Sequence, residues 1–164
     1  MAKREDAILQ GNNVALERDR YTLRVKEAKF GESKSSGKPM VTLVTEIVAP
    51  RIVTQASGMQ AKIEGMEVIY YAPCTQPNLA NLFSLWDKLG NNVDEIDLEN
   101  PDIQWMNGKF FDAVLSSEEQ FLQKKNAEGK YENILDASGQ PVSRGFKPNA
   151  QIFDIIGEVP PPTN

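Results

Sequence analysis

Histidine is missing from this chain altogether, and cysteine occurs once, at Cys74. The first absence removes the commonest catalytic base and the commonest metal ligand. The second excludes a thiolate cluster and an internal disulfide. Catalysis would have to rest on carboxylates, lysines or hydroxyls, and no pair of carboxylates stands at a recognisable spacing, so the sequence reads as a non-enzyme that needs no cofactor. No apolar run reaches the roughly 18 residues of a membrane span. The opening "MAKREDAILQGNN" lacks the apolar core of a secretion signal, which makes the cytoplasm the expected compartment.

What is present fits a globular domain. Of the 164 residues, 40% are hydrophobic and 25% charged, enough for one core and an ordinary surface. The net charge of -5 is unevenly placed. Between Asp87 and Asp102 the acids Asp87, Asp94, Glu95, Asp97, Glu99 and Asp102 face one base, Lys88, and outside that segment bases and acids balance. Lys3, Arg4, Arg18, Arg20, Arg24, Lys26, Lys29, Lys34 and Lys38 crowd the N-terminal quarter. A basic face opposite an acidic one is therefore compatible with the net charge, and partners follow the placement of charge rather than its sum.

Alternation of period two marks the strands. In "YTLRVKEAKF", Tyr21, Leu23 and Val25 share one face, and Ala28 and Phe30 return to it only if one extra residue is inserted, the signature of a β-bulge in a long, curved strand. "MVTLVTEIV" and "MEVIYYA" read as the second and third strands, with a turn or short strand around "RIVTQ" between them. "TQPNLANLFSLWDKLGNN" reads as a helix, with Pro77 in its first turn, an apolar stripe of Leu79, Leu82, Phe83, Trp86 and Leu89, and Gly90 as its cap. "KFFDAVL" and "AQIFDIIGEV" read as the fourth and fifth strands. Between these two lies a polar stretch from Ser116 to Pro148, with turn signals at "NAEGK" and "DASGQP" and "YENIL" as one arm of a projecting hairpin.

Three strands, a helix and two strands, most of them alternating, match a mainly β fold with one principal helix: the five-stranded Greek-key barrel of the OB-fold, with extended loops or a hairpin between strands four and five. The expected division is an N-terminal arm over residues 1–20, one domain over 21–159, and a proline-rich tail over 160–164. In that fold the first loop and the loop between the fourth and fifth strands flank the binding face. Here the first of them, "GESKSSGKP", exceeds the two to five or so residues that a hairpin turn needs.

The run "YTLRVKEAKF", the following Ser-Gly-Lys, the aromatic third strand, "LFSLWDKLG" and "NGKFFDAVL" together resemble the single-stranded-DNA-binding proteins encoded by bacteriophages, over roughly Tyr21 to Val159. The resemblance implies protection of exposed single strands during phage DNA replication or recombination in the host cytoplasm. The partners it implies are single-stranded DNA and replication or recombination proteins, while self-association stays open. Such proteins often end in an acidic tail that recruits partner enzymes, and "GEVPPPTN" is not one.

Binding single strands without sequence preference takes cations along the phosphates and aromatic rings under the bases. The candidates are Arg24 and Lys26 on the first strand, Lys34 and Lys38 in the first loop, Tyr71 on the third strand, and Lys124, Lys125, Lys130, Tyr131, Arg144, Phe146 and Lys147 in the long polar stretch. Tyr21 and Phe30 belong to the core phase and Trp86 to the helix stripe, and Trp105 is expected to cap the barrel. "GESKSSGK" lacks P-loop spacing, and "DEIDLENPD" lacks the spacing of a calcium loop. The competing readings are a protein-interaction or virion-associated module that works through its acidic surface and, less favoured, a metal-dependent nuclease.

Overall fold

The computed structural model describes residues 9–10, 14–55, 58–146 and 150–162, without the side chains of Leu9, Gln10 and Phe146. Its strands, in chain order, are β1 (Leu9–Gln10), β2 (Asp19–Glu32), β3 (Pro39–Ala49), β4 (Ile52–Thr54), β5 (Gln60–Lys62), β6 (Glu67–Pro73), β7 (Phe110–Ser116), β8 (Glu119–Phe121), β9 (Gln123–Lys125), β10 (Tyr131–Asn133), β11 (Ser143–Phe146) and β12 (Gln151–Glu158). Among the described residues a single α-helix, α1 (Leu79–Lys88), lies between β6 and β7. Five strands form one antiparallel, strongly curled sheet in the order β12-β7-β2-β3-β6, an OB-like half-barrel with the helix where the sequence places it.

β2 can curl because its ladder is interrupted. Val25 pairs with Thr45 and Glu27 with Val44, so Lys26 is the inserted residue, and Ala28 returns to the core after it. Val41, Leu43, Thr45 and Ile47 of β3, Val68 and Ala72 of β6, and Phe111, Ala113 and Leu115 of β7 complete the interior. Thr45 is tolerated there because its hydroxyl donates to the Val68 carbonyl at 2.6 Å.

Helix α1 buries Leu82, Leu85 and Trp86, and Leu89, which caps it, is buried with them. The buried stripe is turned relative to the expected one: Leu85 joins it, while Leu79 and Phe83 stay half-exposed. The helix ends at Gly90, whose φ of 93° is a left-handed value. Trp86 then meets Trp105 edge to face at 5.9 Å between centroids, which ties the helix to the start of β7. Val93, Ile96 and Leu98 pin the acidic segment to the core, leaving Asp94, Glu95, Asp97, Glu99 and Asp102 exposed.

The two chain ends and the long polar stretch take the following forms. The arm assigned to residues 1–20 reaches into the core through Val14 and Leu16, and Leu9–Gln10 pairs in parallel with β5 beside β4. At the other end Val159 donates to the Phe110 carbonyl at 2.9 Å, and the tail stays exposed over Pro160–Pro162, while Thr163 and Asn164 fall outside the described residues. The expected loops and hairpin between β7 and β12 form a wing of three arms: β8 with β11, β9 with β10 at the start of "YENIL", and a bridge from Leu135 to Pro141. The arms meet in a closed ring of backbone hydrogen bonds, Leu122 N–H to Val142, Val142 N–H to Ile134 and Ile134 N–H to Leu122, at 2.8 to 3.0 Å.

Candidate nucleic-acid interface

Period two on β2, β3 and β6 sends alternate side chains to the outer face of the sheet, and the register lines them up in rows across the strands. Arg24, Glu46 and Glu67 form one row, then Glu27, Val44 and Ile69, then Lys29, Thr42 and Tyr71, and finally Gly31, Met40 and Pro73. β3 and β6 carry charge only in the first row, at Glu46 and Glu67, and carry none toward the end of the sheet that bears the first loop, where Lys29 of β2 is the last charge.

That end opens into a groove of about 780 Å³. Its floor is Met40, Thr42, Tyr71 and Pro73; one wall is the loop with Lys34 and Lys38, and the other is Thr75, Pro77 and Asn78 at the entry to the helix. The loop holds itself in shape. Ser33 N–H donates to Lys38 at 2.8 Å, Gly37 N–H donates to Ser33 at 2.7 Å, and Gly37 takes a φ of 70° that only glycine adopts freely. Across the groove the Asn78 amide donates to the Thr75 hydroxyl at 2.7 Å. Tyr71 is 57% exposed, whereas its neighbour Tyr70 packs against the core, where burial and then Asp154 push its hydroxyl above the ordinary tyrosine pKa. Lys34 and Lys38 have no ion-pair partner among the described residues.

The other expected contacts lie elsewhere. Arg24 pairs with Glu46 at 2.7 Å and Lys26 with Glu67 at 3.5 Å, on the far half of the same face, so a phosphate there would compete with a carboxylate already in place. Lys124, Lys125, Lys130, Tyr131 and Arg144 are exposed on the wing. On its β9–β10 arm Lys125 lies opposite Tyr131 and reaches over its ring at 5.8 Å, a cation held against an aromatic face. The Phe146 side chain and Lys147 lie outside the described residues. Asp19 of β2 pairs with Leu115 of β7 and Glu32 of β2 with Pro39 of β3, so the wing and the first loop leave opposite ends of β2. The ten candidates whose side chains are described thus separate into the groove, the paired cations and the wing.

Sequence reading missed the groove's second wall and the position of Lys29, which shares a row with Tyr71 about 10 Å away across β3 and, like Arg24 and Lys26, is paired with a carboxylate, Glu27 at 3.7 Å. Only the register, which no single strand reveals, brings Lys29 into line with that ring. Among the described residues no group of three Cys, Asp or Glu side chains could hold a metal ion, and no helix is long and apolar enough to cross a membrane. Comparison with protein-family models, with curated proteins and with solved structures finds no match to this chain.

Proposed function

We propose that the protein binds single-stranded DNA with little regard to sequence and shields exposed strands during phage DNA replication or recombination in the host cytoplasm. The observation that carries this reading is the groove: an exposed tyrosine ring on an apolar floor, with two unpaired lysines on its rim. A base unstacked from its neighbours can lie on Tyr71 while its flanking phosphates meet Lys34 and Lys38, and stacking is indifferent to which base it is. Duplex bases are stacked and paired, so they cannot reach the ring without opening. The wing, with Lys125 over Tyr131, offers a second platform at the other end of β2 for a strand long enough to reach it. In this reading the protein transforms nothing, and replication or recombination proteins are its partners on the strand.

Fluorescence anisotropy of a labelled oligonucleotide of about thirty nucleotides, at low and moderate salt and beside a duplex of equal length, tests the proposal. Salt-sensitive binding of the single strand alone is the expected result. Equal binding of the duplex, or no binding at low salt, would remove the basis for it.

A further inference from the structure

The two edges of β2 are unequally covered. One is paired with β3 along its length. The other pairs with β7 only from Asp19 to Arg24, continues through hydrogen bonds between Val25 and residues 108–109, and ends with Ala28 N–H donating to the Asn107 side chain at 2.8 Å. Strand geometry alternates the direction of the peptide groups. Ala28 points away from β3 and Ser33 N–H donates back toward β3 at Lys38, so the peptide groups of Phe30 and Glu32 also point away from β3. They have no hydrogen-bond partner on that side among the described residues. Beside Phe30 an open groove of about 750 Å³ runs between Glu27–Phe30 and the segment Asn100–Gln104.

We infer that this edge receives a basic, extended peptide of a partner protein as an added strand. Unpaired strand edges bind by backbone hydrogen bonding, which requires an extended chain and no particular side chains. The surrounding charge selects the partner. Asp102 lies exposed on the groove's far wall, and Asp94, Glu95, Asp97 and Glu99 lie exposed on the chain that leads into it, while on the near wall Lys29 is paired with Glu27 at 3.7 Å. A second copy would bring an identical acidic segment against this one, and nucleic acid would bring phosphates, so like charge disfavours both. A peptide that alternates basic and apolar residues suits the site, since Phe30 and Ile103 are apolar.

The probe is a capped heptapeptide of alternating lysine and valine, followed by amide hydrogen exchange and NMR of the full chain. In the free protein the Phe30 and Glu32 amides should exchange fast while Lys29 and Gly31 are protected, and the peptide should slow the first pair about tenfold or more. Two further peptides, N-methylated on the odd or on the even residues, separate strand pairing from plain charge attraction. One should bind nearly as well as the parent and the other about tenfold worse, because only one set of N–H groups faces β2. Asp102→Lys should weaken the parent peptide several-fold. Equal binding of both methylated peptides, protection that rises with protein concentration in the absence of peptide, or no binding at millimolar peptide would each overturn the inference.

Discussion

Tyr70 and Tyr71 adjoin in sequence and differ in environment, one packed under the sheet and the other open on it. Alternation alone says that they must differ; which of them faces out depends on the phase that Val68 and Ala72 set by being buried. Replacing Tyr71 with Ala removes a ring that the core does not use, so the melting temperature should hold while single-strand affinity falls by about 1 to 3 kcal/mol, the usual worth of one stacked base. Tyr71→Phe should bind as the parent does. Unaltered anisotropy titrations for Tyr71→Ala would move the stacking site elsewhere. Asp136 makes a second prediction at this scale. Its carboxylate accepts from the Ser138 hydroxyl at 2.7 Å and from the Gln140 and Ser138 N–H groups, which holds its pKa below the ordinary aspartate value, the hydroxyl contributing most. A depressed folded value means that the turn is favoured above the unfolded pKa and loosens as pH falls through the folded one. An NMR titration of the carboxyl should therefore find it more acidic than a free aspartate, and Ser138→Ala should return it part of the way. A free-aspartate midpoint in the parent chain would contradict the turn geometry.

Among the elements, the strands were the most legible. The slip between Val25 and Ala28 is enough to place the bulge, because one misplaced residue would otherwise send Phe30 to solvent. The helix was legible in position but not in rotation: Leu79, Leu82, Leu85 and Leu89 all fit a helical repeat, and only the approach of β6 and β12 decides which of them are buried. The wing was the least legible. Its turns are two copies of one device, with Asn126 and Asp136 each accepting from the N–H groups two and four residues ahead and Gly129 and Gly139 at φ of 80° and 82°. The turn chemistry was readable, but the ring of hydrogen bonds joining the arms uses backbone groups that leave no trace in side chains. Gly129→Ala or Gly139→Ala has open space for the methyl group, so the cost is that of the backbone conformation alone, about 1 kcal/mol. Hydrogen exchange should quicken within the altered arm while barrel amides keep their protection. A matching loss of protection in β2 and β3 would show that wing and barrel unfold as one unit.

Over the whole molecule, net charge hides a division of labour. Asp102, at the end of the acidic segment, faces one edge of β2, the ion pairs of Arg24 and Lys26 neutralise the middle of its outer face, and free lysines remain at the first loop. Counterion release then comes from few sites. Lys34→Ala combined with Lys38→Ala should lower the slope of log affinity against log salt by about 1.4, at about 0.7 for each phosphate contact on a single strand. A slope that does not move would assign the phosphates to the wing, where Lys124, Lys125, Lys130 and Arg144 are the next set to replace.

The chain's only two tryptophans, Trp86 and Trp105, are held against each other beside the acidic segment. Neither lines the groove. Their emission should therefore stay flat as oligonucleotide is added, while tyrosine changes go unseen beneath it. A titration followed by intrinsic fluorescence would report an inert protein even at saturation. The same indole pair makes a clean gauge of folding, insensitive to ligand, against which a label on the DNA can be read.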